Sequence, residues 1–246
     1  MEPTIPHLIV LASAAFAASV VGGIAGYGTG LLLPPVLVPL IGAEAVVPVI
    51  GLSALLTNAG RLFAWRRELD RRAAGRILLA SAPGVALGAV LYTLLSGPRV
   101  MVLIGATLIA LVPMRRRLVR RHGTLGPRGQ ALAAAGYGVL NGGTAGSGVI
   151  LLSLLLAAGL SGPAVIATDA AISIALGTLK SLIFAGAGAL TWHLAGVALL
   201  IGLAALPGAF VARRLARRLD ASAHVAILDA VVLLGGTLLI AGGLRH

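Results

Sequence analysis

The sequence Asn141-Gly142-Gly143-Thr144-Ala145-Gly146-Ser147-Gly148 interrupts a long apolar run in the second half of this chain. A similar stretch, Gly22-Gly23-Ile24-Ala25-Gly26-Tyr27-Gly28-Thr29-Gly30, interrupts the first apolar run. A shift of 118 residues places Gly28-Thr29-Gly30 on Gly146-Ser147-Gly148. Because the same motif occurs at equivalent places, the chain is interpreted as two homologous halves.

The repeat extends beyond these glycine-rich runs. Pro83-Gly84 corresponds to Pro207-Gly208 after a small insertion. We therefore predict an N-terminal membrane repeat over residues 1–114 and a C-terminal membrane repeat over residues 130–246. A basic cytoplasmic linker over residues 115–129 joins them.

The composition is that of an integral membrane protein. Only 11% of the residues are charged and 59% are apolar, whereas a soluble domain is usually about 25% charged. A spanning helix needs roughly 20 mostly apolar residues. Hydropathy predicts an all-α, multi-pass protein of the cell membrane, of the prokaryotic inner-membrane type, with eight apolar segments at about 8–41, 45–64, 73–95, 98–114, 130–160, 163–186, 189–212 and 222–244.

The basic residues predict how the chain threads the membrane. Most of them fall between Arg61 and Arg76, Arg115 and Arg128, or Arg213 and Arg218. Basic loops stay on the cytoplasmic side. All three clusters are cytoplasmic if the first and fifth segments are re-entrant helical hairpins with arms of about 14 residues, roughly 20 Å at 1.5 Å per residue. Each half then crosses three times, so the two repeats are inverted. Eight full crossings with one misplaced cluster is the open alternative.

The hairpin tips are the predicted anion site. Helix N-termini at such tips present free N–H groups and a positive dipole end, and Ser or Thr at the N-cap favours a helix start there. Close helix packing is the alternative role for glycines in a membrane, but recurrence in both halves favours binding. The candidate residues are Gly26, Gly28, Thr29 and Gly30 in the first tip and Gly143, Gly146, Ser147 and Gly148 in the second. For Asn141, a site role and a structural role are equally open.

Charged and polar side chains inside two other spans complete the candidate site. Asp169, Ser173 and Lys180 share one face of the sixth segment, because eleven residues make about three helical turns. Lys180 is expected to attract an anion and Asp169 to carry a proton or pair with a partner. The alternative places both near opposite ends of the helix, with Lys180 snorkelling outward.

The second segment carries a polar patch at a similar depth, made by Ser53, Thr57 and Asn58. The patch is expected to line the cavity, although hydroxyl groups often bond back to their own helix. Arg61, Arg66 and Arg67 are interpreted as cytoplasmic anchors.

These patterns resemble the sulfite exporter TauE/SafE family, also called the toluene sulfonate uptake permease family. The resemblance covers essentially the whole chain and rests on Gly22 to Gly30 with Pro34 and Pro35, Gly51-Leu52-Ser53, Gly142 to Gly148, and Ala167-Thr168-Asp169. It implies a membrane permease for sulfite, sulfonates or other small organosulfur anions. Asp169, where the family more often has a small polar residue, and Lys180 depart from its pattern and bear on the substrate.

We therefore expect a secondary transporter of a small anion that works by alternating access. A passive anion channel and a non-transporting scaffold or accessory subunit are the alternatives. No enzyme motif is present: Gly-x-Ser-x-Gly is not matched around Ser147, because position 145 is Ala. No cofactor and no metal are expected, and the absence of Cys excludes thiol chemistry. The expected partners are the anionic substrate, anionic lipid at the Arg clusters rather than nucleic acid, and another copy of the chain.

Overall fold

A computed structural model of the chain describes residues 5–25, 30–120, 126–215 and 221–245. In these ranges the chain is helical, without a strand, which confirms the all-α prediction. The helices are α1 (Ile5–Ala25), α2 (Pro34–Ile41), α3 (Ala43–Trp65), the 3₁₀ turn η1 (Arg66–Glu68), α4 (Arg71–Thr93), α5 (Gly97–Arg120), α6 (Pro127–Gly143), α7 (Gly148–Ala157), α8 (Gly162–Gly186), α9 (Trp192–Leu215) and α10 (Ala221–Leu244).

Several helices begin where the sequence supplies a start signal. Asp70 precedes α4, and its carboxylate accepts hydrogen bonds from the backbone N–H groups of Arg72 and Ala73. Such a cap stabilises a helix by about 1 kcal/mol. The helices α2, α6 and α8 have proline in their first turn, where a missing N–H costs nothing and the fixed φ suits a helix.

The described residues contain five helices that are long and apolar enough to cross a membrane: Ala43–Glu68, Arg71–Thr93, Gly97–Met114, Gly162–Gly186 and Trp192–Ala212. Shorter apolar stretches lie at Pro6–Val21, Gly148–Ala157 and Asp229–Leu244. The chain is therefore a multi-pass membrane protein. The count of eight spanning or re-entrant segments stays a prediction.

The first and fifth apolar segments are both broken into two helices. In the second half the break covers Thr144 to Ser147, where Thr144 is extended and Gly146 has a φ of +83°. Glycine adopts this conformation without the steric cost that a side chain brings. The arms are not the equal 14-residue helices expected: α1 and α6 have 21 and 17 residues, and α2 and α7 have 8 and 10.

The helix contacts repeat when the two halves are exchanged. If α1 to α5 correspond to α6 to α10, the α4–α6 contact becomes the α9–α1 contact, and α4–α8 becomes α9–α3. The pairs α3–α8 and α5–α10 map onto themselves, and α2–α3 maps onto α7–α8. All of these contacts are present. The duplicated Pro-Gly motif has the same role in each half: Gly84 packs on α6, and Gly208 packs on Phe16 and Ser19 of α1.

Glycine pairs let α4 and α6 pack with their backbones in contact. Gly84 and Gly88 on α4 face Gly138 and Gly142 on α6, and both pairs have the four-residue spacing of a small-xxx-small motif. A Cβ added at Gly88 would overlap the carbonyl oxygen of Val139. The two helices run parallel, because Gly84 lies against residues 135–139 and Gly88 against residues 139–143.

Helix directions bring the arginine-bearing ends together. The helices α3 and α8 are antiparallel, since Gly51 meets Lys180 and Arg61 meets Asp169. The end of α3, the start of α4 and the start of α6 therefore lie at one end of the bundle. Short connections at 94–96 and 187–191 bring the ends of α5 and α9 to the same place. We call this the arginine-rich end.

The predicted linker over residues 115–129 is partly helical. Helix α5 continues to Arg120, and α6 begins at Pro127. Residues 121–125 and 216–220 lie outside the described residues, and the second range includes Arg217 and Arg218 of the third basic cluster.

Replacing Gly88 with Ala tests the α4–α6 contact. We expect Gly88→Ala to destabilise the protein by at least about 1–3 kcal/mol, because the new methyl group overlaps a carbonyl and the helices must separate. Gly75→Ala on the same helix is the matched control, since nothing lies within 4 Å of its added Cβ. That control should stabilise α4 by roughly 0.5–1 kcal/mol. Thermal unfolding in detergent measures both, and equal unfolding temperatures would contradict the packing.

Candidate functional site

The two glycine-rich breaks meet inside the bundle. A Cβ on Gly30 would lie 2.9 Å from the backbone nitrogen of Gly146 and 3.1 Å from its Cα. A Cβ on Gly146 would in turn overlap Leu31. The two breaks therefore touch backbone to backbone, and no side chain fits between Gly30 and Gly146. Gly26, Gly28 and Thr29 of the first tip lie outside the described residues.

Asn141 ties the second break together through its side-chain amide. Its Nδ2 donates to the hydroxyl oxygen of Tyr137 at 3.1 Å and to Oγ of Ser147 at 3.0 Å. Tyr137 lies one turn before Asn141 on α6, and Ser147 lies beyond the break. The amide thus holds the end of α6 against the start of α7. Its Oδ1 is buried and has no hydrogen-bond partner among the described residues.

Lys180 reaches this break from α8. The residue is only 6% exposed, and its Nζ donates to the backbone carbonyl of Asn141 at 3.1 Å. That carbonyl is among the last four of α6, which have no partner within their own helix. The side chain crosses α3 at Gly51, where an added Cβ would lie 2.7 Å from Cε of Lys180. Lys180 therefore points into the bundle and does not snorkel to a surface.

The start of α7 lies open beside this cluster. Ser147 occupies the N-cap position as predicted, but its side chain makes no capping bond and instead accepts from Asn141. The first N–H groups of α7 are therefore left without a side-chain cap. Gly148 is exposed between the buried residues Ser147 and Val149, and an added Cβ there would have no described atom within 4 Å.

The second break thus brings a buried lysine close to a helix N-terminus without a side-chain cap, and it contacts the first break. The family model described as Sulfite exporter TauE/SafE matches residues 11–239, nearly the whole chain. The chain belongs to the sulfite exporter TauE/SafE family. This membership confirms the resemblance seen in the sequence.

Membership makes the chain a membrane permease for sulfite-like anions. It also agrees with the expectation that the chain is not an enzyme, since the family is one of transporters. A comparison with curated proteins and one with solved structures gave no match.

A second polar cluster lies toward the arginine-rich end of this permease. Nη1 of Arg61 on α3 lies 2.9 Å from Oδ2 of Asp169 on α8. The same nitrogen donates to Oδ1 of Asn58 at 3.1 Å. Asp169 is buried, whereas 45% of the Arg61 side chain is exposed. Arg61 thus pairs with a carboxylate on the other half of the chain and does not act only as an anchor.

The residue beside Asp169 fixes the start of α4. The backbone N–H of Asp70 donates to Oγ1 of Thr168 at 3.2 Å. Asp70 is also the residue that caps α4. Arg61 and Asp70 flank η1, so both ends of this turn are held to adjacent residues of α8.

The other predicted site residues have more local roles. The hydroxyl of Ser53 donates to the carbonyl of Ile50 and that of Thr57 to Ala54, so both bond to their own helix. Gly143 packs on Gly88 of α4. Ser173 is half-buried on α8 between Asp169 and Lys180. Among the contacts of the described residues, Asn58 is the member of the second-segment patch that reaches a polar cluster, through Arg61.

Sequence reasoning missed three residues of these clusters. No role was predicted for Tyr137, which lies between Gly136 and Gly138, although its four-residue spacing from Asn141 puts both side chains on one face of a helix. Arg61 lies three residues after Asn58, which is also a same-face spacing. No signal pointed to Gly51 as the place where Lys180 crosses, because that contact joins distant parts of the chain.

Gly51→Ala should displace the ammonium group of Lys180 without unfolding the protein. The new Cβ meets the flexible end of the lysine, which can move aside, so the unfolding temperature should change little. The Nζ–carbonyl contact should be lost, and the resonance of the single lysine in ¹³Cε-lysine-labelled protein should move away from its wild-type position. Gly60→Ala on the same helix is the control, since its nearest atom lies at an ordinary 3.9 Å. A lysine resonance at the same position in the two variants would contradict this geometry.

Proposed function

We propose that the chain is a secondary transporter that binds sulfite, or a related small oxyanion, where the two glycine-rich breaks meet. Lys180 supplies the positive charge, and the open N-terminus of α7 supplies backbone N–H donors. The observation that carries the proposal is the burial of a lysine ammonium whose one described partner is a neutral carbonyl.

The energetics of Lys180 favour an anion over a purely structural role. Burying an ion costs several kcal/mol even after the protein relaxes, and a charge deep in a membrane costs a few kcal/mol or more. A cation at a helix C-terminus recovers typically 0.3–1 kcal/mol and at most about 2. Within the described residues no carboxylate lies within 4 Å of Lys180. A bound anion provides the missing compensation.

The choice of lysine at position 180 also favours a role in binding an anion. Lys180 is the single lysine of the chain, and every other basic side chain apart from histidine is arginine. A hydrogen bond to a carbonyl needs no charge, so a neutral donor would stabilise the end of α6 at lower cost. The ammonium group is a compact point charge with three donors, and one of these donors reaches the Asn141 carbonyl.

Backbone groups complete the proposed site. The start of α7 has N–H groups without intrahelical acceptors and carries the positive end of a helix dipole. Anions bind at such ends, and the exposed Gly148 leaves room for an oxygen atom to approach. Asn141 connects the two parts, because its carbonyl accepts from Lys180 and its amide holds Ser147 at the start of α7.

We further propose that the halves are inverted repeats that alternate access by moving about this site. The support is geometric. A two-fold axis perpendicular to the helices makes equivalent helices antiparallel, and the equivalent neighbours α3 and α8 are antiparallel. The exchange of α4–α6 with α9–α1 contacts fits the same axis. Sites of inverted-repeat transporters typically lie at the repeat interface near the membrane midplane, beside broken helices.

By the positive-inside rule, the arginine-rich end lies on the cytoplasmic side of the cell membrane. The exposed arginines there are proposed to contact anionic lipid. Homo-oligomer formation and the division at residues 114 and 130 stay predictions.

Lys180→Met should abolish saturable sulfite flux. Purified protein in proteoliposomes is expected to show sulfite uptake that saturates, and the variant should lose at least about tenfold because a charged contact worth at least about 1.4 kcal/mol is removed. Its unfolding temperature should stay equal or rise, because a buried charge has been replaced by an apolar side chain. Arg99→Gln, which removes an exposed positive charge, is the control.

The same assay separates the alternatives. Flux that rises linearly with sulfite in the wild type would indicate a channel, and no flux would indicate a scaffold. Direct contact with the anion is read from protein labelled with ¹³Cε-lysine, which gives a single lysine resonance. Sulfite should shift that resonance, and sodium chloride at equal ionic strength should not. If sulfite leaves the lysine resonance unchanged in a sample that transports sulfite, Lys180 is excluded from the site.

Asn141→Asp should inhibit sulfite transport while the fold is retained. The hydroxyl groups of Tyr137 and Ser147 can donate to the new carboxylate, so the tie across the break survives. The carboxylate lies on the residue whose carbonyl accepts from Lys180 and therefore competes with an external anion. We expect sulfite KM to rise at least tenfold, the loss of about one charged contact. Ser96→Asp, at an exposed residue before α5, is the matched charge control, and an equal or larger KM effect there would overturn the assignment.

A further inference from the structure

Arg61 has hydrogen-bond donors beyond those used in its ion pair. A single nitrogen, Nη1, contacts both Asp169 and Asn58. A guanidinium group has five N–H donors in a planar fork, and nearly half of this side chain is exposed. Arg61 can therefore contact Asp169 and another oxyanion, or exchange one for the other.

The partner of Arg61 is itself an oxyanion. Asp169 is buried and its carboxylate approaches the guanidinium at hydrogen-bond distance. Guanidinium groups bind carboxylates and other planar or pyramidal oxyanions by the same forked geometry. A carboxylate supplied by the protein thus occupies a position that suits a small oxyanion of the medium.

The position of this pair relates it to the central site. Asp169 and Lys180 lie eleven residues apart on α8, about 16 Å along the helix and on the same face. Asp169 is the nearer of the two to the arginine-rich end, because α8 begins there. Arg61 comes from α3, the helix that Lys180 also crosses at Gly51. An anion that moves from Lys180 toward the arginine-rich end along the α3–α8 contact passes Arg61.

We propose that Arg61 is a second anion-binding residue, at the arginine-rich mouth of the pathway, and that Asp169 is its built-in competitor. In the structure the Asp169 carboxylate is paired with the Arg61 guanidinium. An arriving anion replaces it, and Asp169 returns when the anion leaves. The proposal rests on the proposed function, since it assigns a further step to the same anion.

A purely structural ion pair is the competing explanation. An ion pair with a half-exposed partner contributes about 0–1 kcal/mol of stability, and the same region is already tied by the Thr168–Asp70 hydrogen bond. A purely structural pair gives no role to the exposed part of the Arg61 side chain. The two explanations differ in what they predict for each side of the membrane.

The test compares sulfite KM from the two faces of the membrane. Right-side-out and inverted vesicles present opposite faces, and flux is measured for Arg61→Gln and Arg66→Gln. Arg66 is the matched control: it lies at the same end, its guanidinium stacks on Phe63 at 4.6 Å, and it donates to the carbonyl of Phe63. Arg61→Gln should raise KM about tenfold from the arginine-rich face, with less than about twofold change from the other face. Arg66→Gln should change neither by more than about twofold.

Asp169→Asn should change the sulfite KM in the direction opposite to Arg61→Gln. Removing the competing charge while keeping the shape should lower KM from the arginine-rich face. If the ion pair is purely structural, Arg61→Gln and Asp169→Asn instead shift the unfolding temperature and both KM values in the same direction. That result, or equal KM values for Arg61→Gln and Arg66→Gln, overturns the proposal.

The outcomes separate this inference from the proposed function. If the wild type shows no saturable sulfite flux, or Lys180→Met keeps it, the proposed function fails. If Lys180→Met loses flux but Arg61→Gln behaves as Arg66→Gln does, the role of Arg61 alone fails. The unchanged KM from the other face shows that Arg61→Gln is folded.

Discussion

The contact between two interrupted helices is the constraint on which the rest of the structure depends. A Cβ on Gly30 would press on the backbone of Gly146, and a Cβ on Gly146 would overlap the side chain of Leu31. Backbone that leaves a helix at membrane depth loses its internal hydrogen bonds, and lipid cannot replace them. The protein therefore surrounds the second break with its own polar groups: the Asn141 amide, the Ser147 hydroxyl and the Lys180 ammonium. The same groups that stabilise the break also make it suitable for an anion.

The polar groups divide into two clusters joined by α8. The cluster at the break contains a cation and no described carboxylate, whereas the cluster toward the arginine-rich end contains a matched pair, Arg61 and Asp169. An unmatched buried cation favours a ligand of opposite charge, and a matched pair is self-contained until a competitor arrives. In the proposed function, this difference in charge balance distinguishes the central anion site from the entry point at Arg61.

The sequence predicted the positions of most features but few of their contacts. The breaks and the apolar helices followed from composition and spacing, because these depend on local chemistry. Spacing left open whether Lys180 faces inward or snorkels outward, and only the structure decided it. Ser53 and Thr57 bond to their own helix, which spacing cannot distinguish from facing a cavity. The pairing of Arg61 with Asp169 joins residues on different helices, so no local pattern contained it. Equal hairpin arms were wrong, since hydropathy does not mark where a helix ends within an apolar run.

By itself the sequence determined that this chain is a multi-pass helical membrane protein with two glycine-interrupted runs, and that it belongs to the sulfite exporter TauE/SafE family. These properties depend on residue type and order, which burial in lipid and backbone hydrogen bonding translate directly into helices. Tertiary structure alone decided that the breaks touch, that Lys180 ends on the carbonyl of Asn141 and that Arg61 holds Asp169. Each of these contacts depends on how helices far apart in the chain cross, and the crossing is set by the packing of the whole bundle.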